Sequence, residues 1–179
     1  MHFINRIDIP PPGQALKKIW QIIPRNIKIT FTATFIIGML VHGYMLANFF
    51  LQHDALSNFL AFLHGISPGN TIRSGRWLQE TAIASRGLIS APWLLGIISL
   101  FYLSITSCIV SLCLETKRIY SGIMIGVLLA TFPTTETIFS YMYVADNAFL
   151  CALLACLSAF LCKKLRFGFI IGGIIKNIM

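Results

Sequence analysis

Charge is what this chain has least of. Acidic residues number only 6 in 179, and charged residues of either sign make up 11%, where a soluble domain carries about 25%. So little polar surface cannot coat a water-soluble globule. With 56% hydrophobic residues and a mean hydropathy of +0.78, the chain reads as an integral membrane protein. Paired cysteines are missing too. Cys108, Cys113, Cys151, Cys156 and Cys162 all fall in or at the ends of apolar runs, no C-x-x-C pair occurs, and no histidine stands at metal-ligand spacing from them. They read as small packing residues, and no cofactor is expected; the need for a divalent metal is left open. A glycine-rich nucleotide-binding loop is also lacking. So is the layout of a secretory leader, because a proline-containing polar segment precedes the first apolar run. The formal charge of +8 arises from 14 Lys+Arg and would raise nucleic acid as a partner of a soluble protein. Here most of the basic residues border apolar runs, so topology accounts for them and no nucleic-acid partner is expected.

What is present is a series of long apolar runs separated by short polar ones. The expected fold is all-α, with about four transmembrane helices and amphipathic external helices between the first two. Residues 1–28 form a basic, interfacial segment in which Pro10-Pro11-Pro12-Gly13 breaks any early helix. The membrane domain covers 29–166, with spans at about 29–51, 88–114, 119–132 and 144–162 and an external loop at 52–87; runs of this length suit ~30 Å of hydrocarbon at ~1.5 Å per residue. Pro133 is expected to end the third span, and Thr134 to Tyr143 to form a polar-aromatic loop containing Glu136. Residues 167–179 form a short apolar tail.

Gly122, Gly126 and Ala130 recur at the four-residue spacing that lets helix backbones approach closely, and should face another helix. His42 interrupts the first span. An interhelical hydrogen bond is the favoured role for it, ahead of a substrate contact, since an intramembrane polar group needs a partner either way. Arg6, Lys17, Lys18, Arg25, Lys28, Lys117, Arg118, Lys163, Lys164 and Arg166 fall on one side of the membrane and Arg73, Arg76 and Arg86 on the other, with Lys176 unassigned. The positive-inside rule then sets the N-terminus in the cytoplasm and the 52–87 loop outside, together with Asp54, Glu136 and Asp146.

That loop holds the candidate chemistry. Asp54 stands where the first span meets water: it either caps a surface helix or acts as a general base toward an incoming hydroxyl. Arg73 and Arg76, in T-I-R-S-G-R-W, either touch lipid headgroups or hold a lipid-linked phosphate, for which the planar, permanently charged guanidinium is suited. Positive charge there would also steady a departing phosphate. Asp146 is a second acid at the same depth, read either as a helix N-cap, the favoured role, or as a substrate contact.

The order of the short motifs resembles a known family. H-D-A-L ends the first span, S-G-R-W follows in the loop, P-W-L-L-G-I opens the second span, T-F-P-T-T-E-T closes the third and Y-M-Y-V-A-D-N-A-F enters the fourth. From Lys28 to Arg166 this is similar to the N-terminal part of the bacterial polytopic glucosyltransferases of the O-antigen glucosylating, serotype-converting type, membrane enzymes of the GT-C fold. The resemblance implies a polyprenyl-phosphate-linked sugar donor, a cell-surface polysaccharide or lipid-linked glycan as acceptor, and a catalytic aspartate in the first external loop, which falls on Asp54. It matches the family's loop arginine to Arg76; substrate-binding roles for Arg73 and Asp146 are added from the residues themselves. Family members have more spans, so the chain reads as a truncated copy. A different class stays open: a small non-enzymatic multi-pass protein such as a glycolipid flippase partner or a transporter subunit, which polar residues deep in several spans would favour. A non-functional remnant is a third reading.

Overall fold

The computed structural model describes residues 21–48 and 91–164. Five helices lie there: α1 (Arg25–Ala47), α2 (Pro92–Cys113), α3 (Ile119–Thr131), α4 (Pro133–Ser140) and α5 (Met142–Lys164). No strand occurs among the described residues, so the protein is all-helical there. Three of the helices, α1, α2 from Trp93 and α5, are long and apolar enough to cross a membrane, and a fourth crossing is available if the bent pair α3 and α4 counts as one. The 13 residues of α3 reach only ~20 Å at ~1.5 Å per residue, short of the ~30 Å hydrocarbon layer. Counted as one crossing, the pair is a broken one, with a 46° bend between α3 and α4.

α2 is the central element, packed on α1, α3 and α5. Its buried face carries Ser99, Ser104, Ser107 and Ser111 beside Leu95, Leu100 and Leu103. Three of these hydroxyls donate to the carbonyl one turn earlier within α2: Ser99 to Leu95, Ser104 to Leu100 and Ser107 to Leu103, at 2.7–3.0 Å. A polar side chain satisfied on its own helix can be buried without a partner elsewhere, and its small volume lets neighbours come close.

The seam between α1 and α3 is closer still. Thr30, Thr34, Gly38 and His42 line the buried face of α1, and Gly122, Gly126 and Ala130 that of α3. A Cβ added at Gly122 would collide with Thr30 Oγ1, and one at Gly126 with Thr34 Oγ1. The two rows rise together, so α1 and α3 run parallel. Gly38 faces α2 instead, where a Cβ would meet Leu100 Cδ2 at 2.6 Å. The small-residue pattern of α3 thus faces another helix, as its spacing predicts.

Two ends of the bundle follow. At one end lie Arg25, Lys28, the turn from Leu114 to Arg118, Lys163 and Lys164 (the basic end). At the other lie the last turn of α1, the first turn of α2, α4, and the first turns of α5. The turn at the basic end closes α2 with two backbone bonds, Thr116 N–H to Ser111 O at 3.1 Å and Glu115 N–H to Leu112 O at 3.2 Å. This is the Schellman pattern, and the residue in its left-handed position is Glu115 with φ 53°, where glycine is usual.

One expectation fails here. The segment after Pro133, expected as a loop, is helix as far as Ser140. Proline stops a helix only from within; at the first position its missing N–H would have had no partner anyway, and its fixed φ suits a helix start.

Candidate functional site

The end of the bundle opposite the basic residues gathers His42, Glu136, Asp146 and Asn147. His42, in the fifth turn of α1, is 1% exposed. Its Nε2 lies 2.9 Å from the Ala130 carbonyl; a carbonyl only accepts, so the imidazole carries its proton on Nε2. Its ring stacks on Phe139 of α4 with centroids 4.2 Å apart and planes at 23°. Phe139 in turn meets Phe149 of α5 at 5.1 Å. The interhelical hydrogen bond expected of His42 is therefore present.

Ala130 stands three residues before Pro133, so its carbonyl lies at the break. The preceding carbonyl, Leu129 O, sits four residues before the proline, which has no N–H to give it. The Thr135 hydroxyl donates to it instead, at 2.8 Å. Thr135 and Glu136 N–H both close back onto Phe132 O, at 2.8 and 3.3 Å. Carbonyls freed by a break in a membrane helix need such replacements, because hydrocarbon offers none.

Glu136 occupies the first turn of α4, where a carboxylate is favoured by the helix dipole, and acts electrostatically on His42. Asp146 and Asn147, each 8% exposed, sit one turn into α5, and the Asn147 Nδ2 has no hydrogen-bond partner among the described residues. The favoured reading of Asp146 as an N-cap is thereby corrected: α5 begins at Met142, so the aspartate lies inside the helix with its carboxylate buried against the neighbours. Met142 and Tyr143, which looked like loop, belong to α5 and move its start back, with Tyr141 as the turn between α4 and α5.

The other three predicted site residues, Asp54, Arg73 and Arg76, lie outside the described residues. Sequence reasoning missed α4 and with it the contact between Phe139 and His42. The signal was there in Pro133-Thr134-Thr135-Glu136, a proline followed by a carboxylate in the first turn, which marks a helix start. No group of three or more His, Cys, Asp or Glu side chains that could hold a metal ion occurs among the described residues.

Comparison with known proteins gives one finding. The family model described as Glucosyl transferase GtrII matches residues 43–179, which take in the end of α1 and every later helix. No curated protein and no solved structure matches the chain. A match over most of the length, on a chain with several helices able to cross a membrane, settles its kinship: it belongs to the glucosyl transferase GtrII family.

Proposed function

We propose that this chain is a GT-C-type membrane glucosyltransferase, moving a glucosyl group from a polyprenyl-phosphate donor to a surface polysaccharide or a lipid-linked glycan. The observation that carries the reading, beside the family match, is the segregation of charge along the bundle. Arg25, Lys28, Lys117, Arg118, Lys163 and Lys164 share one end, while Glu136 and Asp146 belong to the other. By the positive-inside rule the basic end, and the N-terminus with it, is cytoplasmic. Asn48 and Ala91 flank the stretch that holds Asp54, Arg73 and Arg76, and both belong to the acidic end. Acid, arginines and Asp146 are then on the outer side of the membrane, where a lipid-linked sugar and a surface glycan meet.

The chemistry is a direct displacement. An acceptor hydroxyl oxygen attacks the anomeric carbon of the donor as the bond from that carbon to the phosphate oxygen breaks. Asp54 takes the hydroxyl proton as general base. The polyprenyl phosphate leaves carrying the electron pair of the broken bond, and Arg76 and Arg73 stabilise the charge it gains. Asp146 accepts hydrogen bonds from sugar hydroxyls.

Asp54→Asn tests the central role, since asparagine keeps the shape and the capping capacity of the side chain and removes its basicity. Transfer of labelled glucose from polyprenyl-phosphate-glucose in membranes should fall by roughly 10²–10⁴-fold with folded protein retained. Asparagine caps a helix about as well as aspartate, so full activity of the variant would leave Asp54 as a cap only.

A further inference from the structure

Besides the residues assigned above, the acidic end holds a fully buried imidazole that touches three other helical segments directly or through one ring. His42 donates to Ala130 O at the end of α3, stacks on Phe139 of α4, and reaches α5 through the contact of Phe139 with Phe149. Phe149 and Asp146 are three residues apart on α5 and both are buried, so the ring contact falls on the face that also carries the aspartate. His42 is likewise on the helix that delivers the chain to Asp54, one turn and a half before α1 ends at Ala47.

We propose that His42 is a positioning residue for sugar transfer: its hydrogen bond and ring stack fix the broken α3–α4 crossing, and through it hold the outer ends of α1 and α5 at a set separation. The inference rests on the transferase reading given above. The argument is geometric. The break leaves α4 attached to α3 by a single residue, Phe132, at a bend of 46°, and contacts from within the break and from another helix restrain it. Thr135 restrains α4 from within, through Leu129 O. Among the described residues, the Ala130 carbonyl is bonded from another helix by His42. α5 carries Asp146, so an error in the break becomes an error in the place of Asp146 relative to the outer end of α1. Misplacement of reacting groups by about 1 Å can cost ~10²-fold in rate.

The side chain offers a clean separation of its two contacts. His42→Phe keeps a ring against Phe139 and loses the donor. His42→Gln keeps an N–H that can reach the position of Nε2 and loses the ring. Spin labels at Asn48→Cys and Tyr141→Cys, in a background with the five native cysteines changed to alanine, report the separation of α1 from the α4–α5 corner in lipid nanodiscs. The expected result is one narrow distance distribution with His42, a broad one with His42→Phe, and a narrow one again with His42→Gln. Glucosyl transfer by the same variants should follow: kcat down about 10–100-fold in His42→Phe with KM within about threefold, and most of it recovered in His42→Gln. A distribution that stays narrow in His42→Phe would overturn the proposal, as would broad distances with unchanged kcat, which would leave His42 a packing residue alone. Should His42→Phe not accumulate, His42→Leu removes the donor in a smaller side chain and the same two readouts decide. Narrow distances with His42 in place but no transfer at all would overturn the transferase reading and the positioning role that depends on it; failure of the restraint alone shows instead in the distances.

Discussion

Two interruptions among the described helices, at Glu115 and at Pro133, are repaired differently. At the basic end, α2 stops and the chain turns through Glu115 into α3; two open carbonyls are met by the turn's own N–H groups and a third, Cys113 O, by the exposed Lys163 of α5 at 2.7 Å. At Phe132 and Pro133 the interruption is met by a threonine hydroxyl from beyond the break and by a histidine from another helix. The difference follows from the solvent. Residues near the turn are exposed or partly so, with Glu115 and Lys163 paired at 2.9 Å on the surface, and water can serve whatever the backbone leaves open. The break lies beside the buried core of Leu100, Leu103, Ala130, Phe139 and Phe149, where an open carbonyl has no such recourse. The break at the basic end is thus met by exposed groups that water can replace, while the break at Pro133 is met by the buried side chains of Thr135 and His42.

That contrast can be attacked first at the seam which brings α1 alongside the break. Gly122→Leu with Gly126→Leu places branched side chains where Thr30 and Thr34 stand against backbone. Small-to-large changes in a packed interior cost about 1–3 kcal/mol each, so the pair should sharply reduce the folded, monodisperse yield in detergent. Ile123→Leu, which conserves volume at a half-buried position on the same helix, should leave that yield unchanged. Equal yields from both proteins would mean that α1 and α3 are not in contact.

A smaller effect sharpens the comparison at the break itself. Thr135→Val removes the hydroxyl from Leu129 O without changing the side chain's shape. Hydrogen bonds in membrane proteins are worth about 0.6 kcal/mol on average and up to about 1.7, and the upper part of that range is expected at a carbonyl that proline has orphaned. Thr137→Val is the matched control. Its hydroxyl bonds the Pro133 carbonyl at 3.1 Å, but the residue is exposed, so the change should be close to silent. Unfolding of both variants in mixed micelles decides between them.

The smallest effects belong to the turn. Glu115→Gly gives the left-handed position the residue that adopts it without strain and removes an exposed ion pair, whose loss costs little; the net change should be a slight rise in melting temperature. Glu115 also carries a pH signature. The hydrogen bond and charge of Lys163 hold its carboxyl below the ordinary range. A depressed folded-state value means that the stabilisation is present above the carboxylate's unfolded value and is lost as pH falls through the folded one. Melting curves across that acidic window should show a slightly flatter pH dependence in Glu115→Gln than in the parent, with neutral pH showing the least difference in slope.

The same contrast explains what the sequence made legible. The membrane class, the seam of Gly122, Gly126 and Ala130, and the need of His42 for a partner can all be read from composition and period, because each depends on one helix meeting apolar surroundings. The helix after Pro133 could not be read with proline taken as a stop, since whether proline ends a helix or starts the next depends on the residues that follow it. The burial of Asp146 was hidden for a related reason. An acid near the start of an apolar run looks like a cap until the run is known to begin at Met142. Of the candidate site, the sequence named Asp54, Arg73, Arg76 and Asp146 but gave no distance between them. It could not show that Phe139 links the helix of one acid to that of the other, because that contact joins segments about a hundred residues apart.

The parallel pairing of α1 and α3 has a consequence for how the molecule is made. Two parallel helices in a membrane cannot be joined by a short turn; another crossing has to be synthesised between them. During translation α1 therefore enters the bilayer well before the helix that will cover its polar stripe. Thr30 and Thr34 are prepared for that wait, since their hydroxyls donate to Asn26 O and Thr30 O on α1 itself, at 3.0 and 2.8 Å. His42 is not: its Nε2 hydrogen bond is to a carbonyl that does not exist until residue 130 has been made. The imidazole is the one member of the stripe that arrives in the bilayer ahead of its partner, and it gives the nascent chain a reason to draw α3 back to α1.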